Sequence, residues 1–285
     1  MIVTFDALAA RQWTERVGST RRIAFVPTMG ALHEGHLSLV RRARELADDV
    51  VVSVFVNPTQ FAPTEDLARY PKPIEADLAA LRQEGVAMVF NPSAETIYPS
   101  GFSTYVEPPK VAAPLDGVIR PGHFRGVCTV VLKLFQIVPA SIAVFGQKDF
   151  QQSLVVKAMV RDLNIPISIV IAETVRETDG LAMSSRNRYL SAAERARALC
   201  LSQSLREARV SFDSGERSVA AIEAAMLHEL RIGEADGVDS VDYAVVADGE
   251  SLERLEMIGD SAVALVAARI GTTRLIDNVI LCGDC

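Results

Sequence analysis

The chain predicts an α/β protein with a doubly wound parallel sheet and a second, smaller α+β domain, and three observations carry that prediction. First, apolar runs recur at 23–26, 50–56, 142–145 and 167–171, and the largely β-branched run 50–56 suits a strand buried on both faces. Second, stretches of helical spacing separate these runs at the intervals of β–α units, which favours parallel strands with crossover helices. Third, the pattern changes near Thr174. Two helices then precede three strand-like runs, with no long helix between the last two. The expected division is residues 1–174 for the larger domain and 175–285 for the smaller.

The elements follow in order. Residues 5–17 have helical spacing. The run IAFV (23–26) meets PTMGALHEGH (27–36), so a buried strand should end at Pro27, turn through Gly30 and enter a helix near Gly35. That geometry sets His33 and His36 at a helix N-terminus, where outward N–H groups and the positive end of the helix dipole favour an anion. Gly35 between them removes a side chain that would block the approach of a nucleotide to the backbone. The next strand, 50–56, ends in Asn57-Pro58-Thr59-Gln60-Phe61. In an open parallel sheet, ligands sit beyond the carboxyl ends of strands. Asn57 and Gln60 therefore share a rim with the histidines, although the same residues would also serve as a plain polar turn broken by Pro58.

A helix over 74–84 leads to a short strand at 88–90. Residues 91–126, rich in Pro and Gly, read as a surface excursion that closes on RPGHFRG (120–126), a concentration of cations before a helix at 127–136. After the strand at 142–145 comes Gly146-Gln147-Lys148-Asp149 and a helix to 163. Lys148 at a helix mouth is unfavourable unless an anion is present, a local conflict of the kind functional sites carry. Asp149 and Gln152 share a helix face. In the smaller domain, Thr178-Asp179-Gly180 is a turn, MSSRN (183–187) a small cationic loop, and Ser191 with Glu194 a capping box opening a helix to about 209. A second helix covers 219–231, and strands are expected at 241–246, 262–268 and 273–280.

A net charge of −7 excludes a broad nucleic-acid surface, so any phosphate must be met by a few placed cations. No basic–apolar leader opens the chain, and no apolar run reaches the roughly 18 residues of a membrane span, so a cytoplasmic protein without membrane contact is expected. Four cysteines in 285 residues are too few for a disulfide framework. Cys282 and Cys285, a single C-x-x-C at the chain's end, read as a frayed tail rather than a zinc site.

PTMGALHEGH, the Asn57–Phe61 turn, RPGHFRG, GQKDFQQ (146–152) and MSSRN, in this order, resemble the pantoate–β-alanine ligase family. H-x-G-H alone would indicate only the wider adenylyl-transferring superfamily, in which MSSR stands at the K-M-S-K-S loop. The resemblance implies a Rossmann-like ATP-binding domain, a lid domain, a homodimer, and Mg2+ accompanying ATP. It also implies condensation of pantoate with β-alanine through a pantoyl adenylate. His36 would be the proton donor, with His33 and Lys148 as further catalytic groups. Met29, Gly30, Ala31, Leu32, His33, Glu34, Gly35 and His36 would line the ATP site, with Gly146, Gln147, Lys148, Asp149, Val175, Met183, Ser184, Ser185 and Arg186. Gln60 and Gln152 would hold pantoate, Gln60 also facing β-alanine, and Asp77 would match a metal-associated position. Three positions depart from the family's usual residues: Gln147 replaces Glu, Thr59 replaces Met, and Ala76 leaves Asp77 without an acidic neighbour. Rival activities are a nucleotidylyltransferase of the same superfamily and a non-catalytic ATP sensor. The paired amides count against the first and the intact imidazoles and cations against the second.

Overall fold

A computed structural model describes residues 1–62 and 67–282. The chain divides into two compact units, one comprising Met1–Gln147 and Gln151–Glu173, the other Lys148–Phe150 and Thr174–Cys285.

The first unit begins with β1 (Ile2–Thr4), α1 (Ala7–Gly18), β2 (Ile23–Thr28), α2 (Glu34–Leu46), β3 (Asp49–Val54), α3 (Ile74–Gln83) and β4 (Met88–Phe90). Two single-turn helices follow, α4 (Ala94–Ile97) and α5 (Asp116–Ile119), then α6 (His123–Ile137), β5 (Ile142–Gly146), α7 (Phe150–Asp162) and β6 (Ser168–Ala172). The six strands are all parallel in the order β1-β4-β3-β2-β5-β6. Successive side chains of a strand face opposite ways, and here both ways are inward. Ile23 and Phe25 of β2 join one apolar cluster with Ala10 of α1, Val127 of α6 and Val155 of α7. Ala24 and Val26 join another, with Leu39 and Val40 of α2 and Leu81 of α3. That two-sided burial accounts for the nearly continuous apolar runs of the central strands. Strands after β2 extend the sheet on one side and β5 and β6 on the other, so the order reverses between β2 and β5. Such a reversal opens a crevice at the strands' carboxyl ends.

The second unit holds α8 (Ala192–Asp213), α9 (Val219–Leu230) and an antiparallel sheet of β7 (Ser240–Ala247), β8 (Ser261–Ile270) and β9 (Thr273–Cys282). Its core, including Leu201, Leu205, Ile222, Met226 and Ala264, lies between the two helices and the sheet. Ser191 caps α8 with Glu194 returning the bond, as the sequence predicts.

Some expectations shift. β1 is an unforeseen three-residue edge strand, and α8 continues to Asp213, its last turn tied by Arg209 to Asp213 at 2.9 Å. Helix α6 begins at His123, not near Val127. Cys282, expected in a frayed tail, is buried at the end of β9, while Cys285 lies outside the described residues.

Cys128 and Cys200 are free and buried, and desolvation pushes their thiols up to about 12 and about 11. The thiolate is the nucleophile, so near neutral pH neither should react. Peptide-resolved alkylation of the native protein at about pH 8 should leave both unmodified until denaturant is added. Labelling of either in the folded state would contradict the packing.

Candidate active site

The turn after β2 is strained and held by one carboxylate. Gly30 and Ala31 both have positive φ, +80° and +51°, which costs a residue with a Cβ on the order of 1–2 kcal/mol. Asp77, buried in the first turn of α3, accepts from Ala31 N–H at Oδ2 and from Leu32 N–H at Oδ1, each at 2.8 Å. A Cβ on Gly30 would stand 3.0 Å from Asp77 Oδ2 and 3.0 Å from Val54 Cγ1, so glycine is needed for space as well as for φ. Gly30 N–H also donates to Thr28 Oγ1 at 3.2 Å. Asp77, which the resemblance implies is metal-associated, has both carboxylate oxygens engaged in holding this loop. Among the described residues no three His, Cys, Asp or Glu side chains gather where they could bind a metal.

The loop delivers His33 as N-cap of α2 and His36 as its third residue. The rings lie 4.1 Å apart between centroids, tilted by 45°. His33 N–H donates to His36 Nδ1 over a long 3.4 Å, so the neutral His36 ring carries its proton on Nε2. A donor N–H is thus presented at the positive end of a 13-residue helix. Glu34 is exposed and its carboxylate pairs with Arg41, so that side chain serves a surface ion network. Gly146, closing β5, lies against Leu39 of α2, and a Cβ there would be 3.8 Å from Leu39 Cδ2.

The turn after β3 is a network of neutral groups centred on Asn57, which is 1% exposed. Asn57 Oδ1 accepts from Tyr98 OH at 2.8 Å, Thr59 Oγ1 at 3.0 Å and Thr59 N–H at 3.3 Å. Its Nδ2 donates to Gln60 Oε1 at 3.0 Å and to Gly126 O at 3.2 Å. Burial pushes the Tyr98 phenol up, which keeps it a donor. Thr59, where the resemblance expects Met, adds a hydroxyl to this set. Gln60 is buried, and its Nε2 donates to Met29 Sδ at 3.1 Å, joining the β2 and β3 loops. Sulfur is a weak acceptor, so an oxyanion could take its place.

The two glutamines that open α7 differ. Gln151 is buried and used structurally, donating to Val111 O at 3.0 Å and Pro114 O at 2.7 Å and accepting from Asp116 N–H at 3.1 Å. Gln152 is half-buried, and among the described residues its carboxamide has no hydrogen-bond partner, which leaves it available to a ligand.

Lys148 and the MSSR segment belong to the second unit. Gln147, Lys148 and Asp149 form a 3-10 turn in which Lys148 Nζ stands 3.7 Å from Asp149 Oδ1, and Lys148 O accepts from Asn278 Nδ2 at 3.0 Å. Val175 O accepts from Met183 N–H at 3.0 Å, pairing these two positions across a hairpin. Ser184 caps a separate 3-10 turn, Ser185–Tyr189, by accepting from Arg186 N–H at 3.2 Å, and Ser185 is buried. Arg176 fastens the hairpin to buried Asp277 of β9 with bonds of 2.6 and 3.0 Å. Arg195 of α8 binds Glu177 at 2.8 Å and Asp179 at 2.6 Å. Sequence reading missed Asp77's anchoring, Tyr98 and these hairpin anchors, because each partner is remote in sequence and no local spacing signals it.

A family model described as pantoate-beta-alanine ligase matches residues 3–280. Pantothenate synthetase of Rhodopirellula baltica is 54% identical over 280 residues, covering 96% of this chain and 97% of that protein. The Thermotoga neapolitana enzyme of the same name is 55% identical, covering 92% of each chain. The solved pantothenate synthetase of Thermus thermophilus superposes with a TM-score of 0.94 at 44% identity, covering 99% of this chain and 100% of that one. A Francisella tularensis pantoate-beta-alanine ligase, solved with beta-gamma ATP and β-alanine, gives 0.79 at 33% identity, covering 98% and 97%.

Asp77→Asn offers one acceptor where two N–H groups each need one, and turns an amide donor toward the other. We expect a loss of about 1–3 kcal/mol, read from the shift of the chemical-denaturation midpoint. An unchanged midpoint would show that the loop does not depend on this carboxylate.

Proposed function

Because the chain belongs to the pantoate–β-alanine ligase family, whose members condense pantoate with β-alanine using ATP, we propose that the crevice beyond β2 and β3 carries this reaction through a pantoyl adenylate. The observation that supports it most is the imidazole pair held on the N-terminus of α2 by the Asp77-anchored loop. In the first step the pantoate carboxylate attacks the α-phosphorus of ATP and pyrophosphate leaves. In the second, the amine of β-alanine attacks the activated carbonyl, giving pantothenate and AMP.

Negative charge grows on the α-phosphate oxygens during the first step, and donors fixed in advance stabilise it without reorganising. His36, with its Nε2 proton, and the first turn of α2 supply such donors. Gln60 and Gln152 offer neutral amides for pantoate's hydroxyls and carboxylate, with Gln60 also facing β-alanine. Lys148 is assigned to the phosphates, and Gly146, Gln147, Asp149, Val175, Met183, Ser184, Ser185 and Arg186 to further nucleotide contacts. ATP arrives as its Mg2+ complex. When bound, Mg2+ would shield the phosphate charge, with Asp77 kept as the metal-associated position that the resemblance implies. A cytoplasmic homodimer completes the reading. Among the described residues, no helix is long and apolar enough to cross a membrane.

Protein incubated with Mg-ATP and pantoate, without β-alanine, should release pyrophosphate and accumulate an acid-labile adenylate, and AMP should appear only once β-alanine is added. ATP binding with no pantoate-dependent pyrophosphate would overturn the proposal. His36→Ala should slow single-turnover adenylate formation by roughly 10²–10³, about the effect of removing one oxyanion donor. Lys148→Ala should raise the KM for ATP and lower kcat together, since a point charge on phosphate acts in ground and transition states alike.

A further inference from the structure

The cation-rich RPGHFRG motif has no part in the chemistry above, yet it grips the turn that carries Gln60. His123, the first residue of α6, is 7% exposed, and its Nδ1 lies 2.8 Å from the backbone oxygen of Gln60. A carbonyl only accepts, so Nδ1 bears the proton. Nε2 is then the ring's lone-pair nitrogen, and it faces Arg120 Nη1, which only donates, at 3.0 Å. The two neighbours thus impose one neutral tautomer. Arg120 Nη2 stands 3.5 Å from the same Gln60 carbonyl. One turn on, Gly126 O accepts from Asn57 Nδ2 at 3.2 Å, and a Cβ at Gly126 would fall 2.3 Å from Thr59 O. The first turn of α6 therefore holds residues 57–60 by donor, by acceptor and by shape, and the Gln60 carboxamide is left directed at Met29.

We infer that His123 is a positioning residue for binding of the hydroxy-acid substrate: its imidazole locks the Gln60 backbone so that the Gln60 carboxamide meets pantoate at a fixed angle. This rests on the assignment of Gln60 to pantoate. His123 touches neither ATP nor the reacting atoms in this role, so its loss acts on one substrate and not on the other.

The test is steady-state kinetics of His123→Ala, His123→Asn and Gln60→Ala, varying pantoate and ATP separately. His123→Ala should raise the KM for pantoate about tenfold, the worth of one hydrogen bond, and leave the KM for ATP within about twofold. His123→Asn places an amide N–H near the Nδ1 position and should recover most of the loss. An unchanged pantoate KM in His123→Ala, alongside a raised one in Gln60→Ala, overturns the inference alone. A normal pantoate KM in Gln60→Ala overturns the Gln60 assignment and this inference with it. Equal rises for pantoate and ATP, unrelieved by Asn, reduce His123 to a general structural part and also overturn it. Should His123→Ala fail to fold, His123→Gln replaces it. That amide reaches toward the Nε2 position and misses the carbonyl, so a normal pantoate KM there overturns the inference.

Discussion

Two backbone N–H groups ending on one buried carboxylate set the geometry on which the first unit's site depends. Gly30 and Ala31 turn the chain through left-handed conformations that an extended strand would not adopt unaided. Asp77 makes that turn the favourable one by accepting from Ala31 and Leu32 at once. The turn in turn decides where α2 begins, and so where two imidazoles sit on a helix N-terminus. In the proposed reaction, charge developing at that position would meet donors fixed in advance, a large source of an enzyme's advantage over water.

The neighbouring turn follows the same rule. Asn57 makes five polar contacts from a site with almost no exposure, committing both ends of its amide to Tyr98, Thr59, Gln60 and Gly126. Gln60 is thereby fixed at backbone and side chain, while its Nε2 rests on a thioether that gives way easily to a better acceptor. Gln152 is the counterpart with its amide still uncommitted among the described residues. In the second unit, Arg176 and Arg195 pin the hairpin before MSSR to a strand and to a helix, so that loop is a firm edge of its unit.

Much of this was legible from spacing. The β2–turn–α2 passage was readable because an apolar run, a proline, a glycine and an amphipathic pattern all agree on one boundary. The small antiparallel sheet followed from the loss of helical spacing after residue 230. What escaped was set by distant partners. Asp77 looks like any acid in a helix's first turn, and only the fold buries it beneath the β2 loop. Gly126 closed the Pro- and Gly-rich excursion as read from sequence, whereas it lies within the first turn of α6, where only glycine fits because a Cβ would fall 2.3 Å from Thr59 O. β1, three residues on a sheet edge, is too short to show any period.

The way each turn is fastened has a consequence for its response to ionic strength. The side-chain bonds around Asn57 join neutral groups, and mobile ions have little purchase on them. Arg195 with Glu177 and Asp179 is a half-exposed cluster of opposite charges, and at molar salt the Debye length shrinks to about 3 Å, near the length of the bonds themselves. Concentrated electrolyte therefore weakens the Arg195 tie first, while the pair of Arg176 with buried Asp277 and the amide-bearing turn keep their hold.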